Sequence, residues 1–188
     1  MKETLEKCWQ NVIVKYFNKG LIGYERQLQV YFFLELKEML PDYGIWVEPT
    51  IFLYKEYDPT RRPTMDGRIP DIVITKNKKI EVVIELKCKP WDSAQFNKDL
   101  EKLKHFEKLA STQKKIPLSW PPISSNWSEQ ISDDNGEVYY EFKRDALLVF
   151  AVIAKAKTKS VSDLDFDVKN FLHLKYSIED KWDSEILC

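Results

Sequence analysis

An α/β fold, with a mixed central β-sheet flanked by helices, is predicted by three features of this 188-residue chain. Apolar residues recur at helical spacing through the first 40 positions. Two short apolar runs, Ile69-Pro70-Asp71-Ile72-Val73-Ile74 and Val82-Val83-Ile84-Glu85-Leu86-Lys87, are joined by a polar, turn-compatible segment. A nearly continuous apolar run from Ala146 to Ala156 follows a further helical segment and suits a buried strand. Helix-type and strand-type segments therefore alternate, as in a sheet covered by helices.

Taken in order, Leu5, Trp9, Val12 and Tyr16 give a first helix over residues 3–19, stopped at Gly20. A second helix runs from about Tyr24 to Leu40 and ends before Pro41. Ile45 to Tyr54 is rich in β-branched and aromatic residues and reads as one strand, with Pro49 near its middle. Hairpin strands follow at about 70–76 and 80–88. Pro90-Trp91-Asp92-Ser93 opens a helix with Phe96, Leu100, Leu103, Phe106 and Ala110 on one face. The stretch Ser111–Arg144 is irregular, with a turn at Asn135-Gly136 and a short strand from Val138 to Phe142. Beyond Ser160, Asp163, Asp165 and Asp167 fit a helix start, whereas Phe171 to Ile178 alternates like a strand. No internal repeat or linker divides the chain, so residues 1–188 are expected to form a single domain, with a core at about 24–157.

The chemistry is concentrated in the hairpin. A three-residue loop, Asn77 to Lys79, pairs Lys76 with Ile80, and continuing that register sets Asp71 opposite Glu85. Directly opposed side chains have Cβ atoms about 4.5–5.5 Å apart. Strand side chains alternate, so Glu85 and Lys87 share a face. Charged side chains in apolar strands are unfavourable without partners or a metal. Two adjacent carboxylates repel, and a hard divalent cation relieves them. Mg²⁺ prefers oxygen ligands and binds through one or two carboxylates plus substrate phosphates. A neighbouring lysine orients or deprotonates a water, or offsets charge on a phosphoryl group. The residues thus point to metal-assisted phosphodiester hydrolysis; the alternative is a twisted hairpin carrying one surface acid–lysine pair.

Pro70-Asp71 followed by Glu85-Leu86-Lys87 resembles the PD-(D/E)-x-K signature of the restriction-endonuclease-like nuclease superfamily. The resemblance spans roughly Tyr24 to Lys157 and implies an αβββαβ core. It implies Mg²⁺, with Mn²⁺ as a substitute, held by Asp71, Glu85 and the backbone carbonyl of Leu86. Lys87 is then the residue that assists the attacking water. The implied activity is that of an endonuclease or exonuclease acting on nucleic acid, with DNA the expected substrate. Members of this superfamily also place a glutamate on the first core helix, beside the metal, where it supports the ion or its water shell. Here that position matches Glu25, which shares a helical face with Leu28, Phe32 and Leu36. Glu25 also has simpler readings, as a first-turn acid complementing the helix dipole or a partner of Arg26. Gln95 matches a substrate-positioning glutamine of related nucleases, yet Asp92-Ser93-Ala94-Gln95 by itself makes a capping box.

The net charge is −1, which excludes a generally basic nucleic-acid binder. Its distribution is uneven: Lys76–Lys115 holds 11 lysines against 6 acids, and Ser128–Cys188 holds 8 basic residues against 13 acids. Arg61, Arg62 and Arg68, in the loop before Pro70, are additional candidates for phosphate contact. Trp120 and Trp127 can stack on unpaired bases, cover the core, or form a dimer contact. Cys8, Cys88 and Cys188 have no zinc-ligand spacing, and their odd number argues against a disulfide framework. His105 and His173 lack nearby ligand partners and read as structural or surface residues. Without a long apolar span or secretory signal, a soluble cytoplasmic protein is expected, with no membrane partner. Cutting both strands of a duplex favours a homodimer. The slightly acidic charge and the lack of a separate DNA-reading module support a different class: a non-catalytic nucleic-acid-binding or protein-interaction subunit retaining the nuclease fold.

Overall fold

A computed structural model describes residues 1–51, 69–88, 94–112, 115–119, 139–154 and 168–177. The first helix, α1 (Lys2–Val12), continues into a π-helical turn over Ile13–Phe17, and α2 spans Glu25–Met39. The strands are β1 (Gly44–Val47), β2 (Thr50–Ile51), β3 (Ile72–Lys76) and β4 (Lys79–Cys88). Helix α3 (Ala94–Thr112) precedes β5 (Lys115–Ser119), β6 (Tyr139–Ala154) and β7 (Phe171–Ser177). The sheet order is β1-β3-β4-β6-β5-β2, and β7 pairs with β6 beyond the stretch that β5 covers. Strand β4 runs parallel to β6, and β6 parallel to β7, while β3 pairs antiparallel with both β1 and β4. The predicted mixed sheet flanked by helices is therefore present.

Period-two alternation in β3, β4 and β6 sends successive side chains to opposite faces. On one face, Ile72, Ile74, Val82, Ile84 and Leu86 pack under Leu5, Trp9 and Val12 of α1 and Leu28, Phe32 and Leu36 of α2. On the other, Val73, Ile80, Val83, Leu148 and Phe150 pack under Leu100, Leu103 and Phe106 of α3. Because both faces are covered there, β4 from Val82 to Leu86 and β6 from Ala146 onward are almost wholly apolar. A charge within those stretches is taken out of water. Helix α2 carries a buried charge of its own, Glu35, which is fully satisfied: Asn11 donates at 2.8 Å, Tyr16 at 2.9 Å and Lys15 at 3.0 Å. The π turn carries Lys15 and Tyr16, so this helical irregularity positions two of the three donors.

Several expected boundaries shift. The strand expected over Ile45–Tyr54 is split: Pro49 has no amide to give the ladder, and Glu48 adopts φ +47°, so β1 ends at Val47. The strands expected at Val138–Phe142 and Ala146–Ala156 are joined across residues 143–145 in one long β6, Tyr139–Ala154. Strand β5 lies in a stretch expected to be irregular; it forms on the edge provided by β6, pairing Lys115 with Glu141 and Ile116 with Tyr140. The acids Asp163, Asp165 and Asp167, as well as Trp120, Trp127 and Cys188, lie outside the described residues. No helix among the described residues is long and apolar enough to cross a membrane.

His173 on β7 is a core residue, stacked on Phe150 at 5.8 Å and on Phe171 at 6.4 Å. Neither ring nitrogen has a hydrogen-bond partner among the described residues. Burial, helped by Lys175, pulls its pKa down to about 4. The unfolded chain, with an ordinary pKa of about 6.5, takes up a proton that the folded chain refuses. The contribution of His173 to stability is therefore full above about pH 6.5 and falls through the window down to about 4. Over that window the loss totals about 3 kcal/mol. In urea titrations at stepped pH, His173→Leu is expected to flatten this slope; an unchanged slope assigns the acid sensitivity elsewhere.

Candidate active site

The hairpin brings the two acids together by a route that differs from the expected one. Lys76 pairs with Lys79, not Ile80, and the connecting turn is Asn77-Lys78 alone. Both turn residues are left-handed, at φ +51° and +58°, the backbone that the right-handed twist of a tight hairpin selects. A loop one residue shorter would send Asp71 to the wrong face. A register shift between Ile74 and Thr75, where Glu81 is the extra residue on β4, restores the phase. Ile72 consequently pairs with Ile84, and the next residue outward on each strand is Asp71 and Glu85. The turn is one residue shorter than the spacing predicts, and the bulge returns the same opposition.

Strand β3 begins at Ile72, so β4 loses its β3 partner at the site itself. The Asp71 carboxylate fills that gap: its Oδ2 accepts the Leu86 N–H at 2.6 Å. Its own carbonyl accepts from the Glu48 amide at 2.9 Å and from Gln29 Nε2 at 3.1 Å. Asp71 is thus held at three points by β1's exit, α2 and β4. Glu85 is 1% exposed. Its Oε2 accepts from Lys102 Nζ of α3 at 2.6 Å, and its Oε1 has no hydrogen-bond partner among the described residues. Lys87 Nζ lies between Glu25 Oε2 at 3.2 Å and Asp99 Oδ2 at 3.1 Å. Asp99 also holds Lys102, at 3.4 Å. Where β3 stops, helices from both faces of the sheet therefore reach one strand end: Glu25 from α2, Asp99 and Lys102 from α3.

Of the residues expected in the site, Asp71, Glu85, Lys87 and Glu25 are brought together. Leu86 takes part through its main chain, with its amide on Asp71. Gln95 lies in the first turn of α3, with its side chain outside the described residues, as are Asp92, Arg61, Arg62 and Arg68. Asp99, Lys102 and Gln29 were not anticipated. Their signal was present. Asp99 sits at offsets of four and seven from Leu103 and Phe106, Lys102 at four from Phe106, so both extend the apolar stripe of α3. Gln29 follows Glu25 by one turn and is buried beside Leu28. A polar residue on an apolar stripe near a helix N-terminus marks the rim of a site.

Electrostatics sets the protonation of the cluster. Burial pushes the Asp71 carboxyl up to about 6, against the Leu86 amide and the Lys102 charge. Glu85 lies well above the usual carboxylate range, through burial first and then the nearby Asp71. For Lys87, burial pulls downward, but Asp99 and Glu25 outweigh it and hold the ammonium above its ordinary pKa. Lys102 behaves likewise, with Glu85 the main opposing charge. Fully ionised, the four carboxylates and two ammoniums of this network carry a formal charge of −2.

These residues fit a divalent cation. Burial raises both carboxyls, the Asp71 charge raises Glu85 further, and one buried oxygen, Glu85 Oε1, lacks a partner among the described residues. No three His, Cys, Asp or Glu side chains close on one point among the described residues. Two carboxylates are enough for Mg²⁺, which keeps several waters and borrows substrate oxygens. No family model, no curated protein and no solved structure matches this chain.

Proposed function

We propose that this chain is a Mg²⁺-dependent nuclease of the PD-(D/E)-x-K type that hydrolyses DNA phosphodiester bonds. The reading is carried by the convergence of Asp71, Glu85 and Lys87 near the end of β4, where one Glu85 oxygen has no partner among the described residues. Asp71 and Glu85 would hold the metal, together with the Leu86 carbonyl. When bound, a divalent ion supplies Lewis-acid stabilisation of the phosphoryl group and a more acidic water. Lys87 acts as a permanent cation, because two carboxylates keep it protonated; its work is to orient the water and offset charge on the phosphate. Glu25 and Asp99 hold the Lys87 ammonium in place, so Glu25 is a positioning residue in this scheme. Exposed Lys98 and Lys108 on α3 give the same helix a face suited to phosphates.

A second reading rests on a specific contact: Lys102 already neutralises Glu85 at 2.6 Å, as expected of a chain that keeps the fold as a binding subunit. Purified protein incubated with duplex, branched and single-stranded DNA separates the two. Cleavage with Mg²⁺ or Mn²⁺ that EDTA stops is expected. Salt-sensitive DNA binding with no cleavage of any substrate would favour the binding subunit.

A further inference from the structure

The two lysines of the site are held in different ways. Lys87 is clamped by Glu25 and Asp99 and contacts neither proposed metal ligand through a hydrogen bond or ion pair in the network described. Lys102 enters from α3 and pairs with Glu85. The acid in this pair is 1% exposed and the lysine side chain 24%, so a rim residue reaches down to a fixed buried charge. Lysine is a point charge on a flexible four-carbon stem. Two further acceptors flank its ammonium, Asp99 Oδ1 at 3.4 Å and the Ile69 carbonyl at 3.4 Å. Lys102 can therefore leave Glu85 without stranding its charge. Glu85 cannot leave, because β4 is fixed between β3 and β6.

We propose that Lys102 is a built-in, displaceable counter-ion: it neutralises Glu85 while the site holds no metal, and a divalent cation must evict it to bind. This rests on the metal-site reading above and adds a regulatory role to it. An ammonium and a divalent cation at one carboxylate repel each other, so the resident lysine weakens metal binding while it protects the apo fold. Metal entry then moves Lys102 off Glu85, free to use Asp99, the Ile69 carbonyl or the solvent its side chain already reaches.

The test is Mn²⁺ binding to the full chain, read from the EPR signal of free Mn²⁺. Removing one positive charge beside the site is expected to make Lys102→Gln bind Mn²⁺ about tenfold tighter than wild type. Lys102→Arg, which keeps the charge, is expected to stay near wild type. A Lys102→Gln protein with native circular dichroism and equal or weaker Mn²⁺ affinity overturns the proposal. A second measurement needs no variant: acetylation of lysines by a small reagent, followed by mass spectrometry. Saturating Mg²⁺ is expected to raise the Lys102 labelling rate severalfold and leave Lys87 unchanged; a Lys102 rate indifferent to Mg²⁺ overturns the proposal. Glu85→Gln separates the two levels of inference. Mn²⁺ binding that depends on Glu85 but is not tightened in Lys102→Gln defeats only the counter-ion role. Binding that is absent, or indifferent to Glu85, in both wild type and Lys102→Gln defeats the metal site and this role together.

Discussion

Asp71→Asn is expected to abolish divalent-metal binding and to lower Mg²⁺-dependent DNA cleavage by about 10³-fold or more, roughly 4 kcal/mol of transition-state stabilisation. The same substitution is expected to raise the stability of the metal-free protein by about 1 kcal/mol. The opposite signs follow from the double duty of this side chain. One oxygen caps the Leu86 amide at 2.6 Å, and an asparagine oxygen still accepts that bond, though more weakly than a carboxylate, so the local fold survives. The lost charge is one that burial and Glu25 oppose, and that itself pushes Glu85 upward. Removing it relieves the apo site and deprives a metal of a ligand. Urea titration in EDTA, set beside a cleavage assay in Mg²⁺, reads both effects from one preparation. A variant that is inactive because it is unfolded, or active at the wild-type rate, would each contradict the assignment.

Lys87→Met is expected to lower kcat by about 10²–10³-fold with little change in Mn²⁺ affinity. Its ammonium lies between Glu25 and Asp99, away from the hydrogen bonds of Asp71, so it serves the reaction and not metal retention. After the substitution Asp99 keeps Lys102 as partner, and Glu25 has a side chain 41% exposed and can return to water. The fold is thus expected to tolerate the change. Lys87→Arg keeps the charge but changes its shape, and partial activity is expected. A fall in Mn²⁺ affinity equal to the fall in kcat would instead make Lys87 part of the metal site's support.

The legible part of this structure is the part that local pattern dictates. The helical stripes of α1, α2 and α3 follow directly from periodicity, and β3, β4 and the second half of β6 from their apolar runs. The opposition of Asp71 and Glu85 was read from a loop that proved one residue too long. It survives because the fold corrects its own register at Glu81, a bulge that leaves no mark in alternating apolar sequence. β5 was missed because Lys115-Ile116-Pro117-Leu118-Ser119 has little strand character of its own and depends on the β6 edge. Glu25 was found by its misfit on an apolar stripe. Asp99 and Lys102 carry the same misfit on α3, but the lysines crowding that helix hid it. What sequence could not supply is the pairing pattern, that Lys87 belongs to Glu25 and Asp99 while Lys102 belongs to Glu85. That depends on two helices meeting from opposite faces where β3 stops.

The most direct test of the central claim is a crystal of the full chain soaked with Mn²⁺ and a short DNA, with anomalous scattering used to locate the metal. A Mn²⁺ peak shared by Asp71 and Glu85 is expected, with a phosphate of the DNA beside Lys87 and Lys102 withdrawn from Glu85. Mn²⁺ bound elsewhere, with Lys102 still on Glu85 and the DNA on another face, would contradict it.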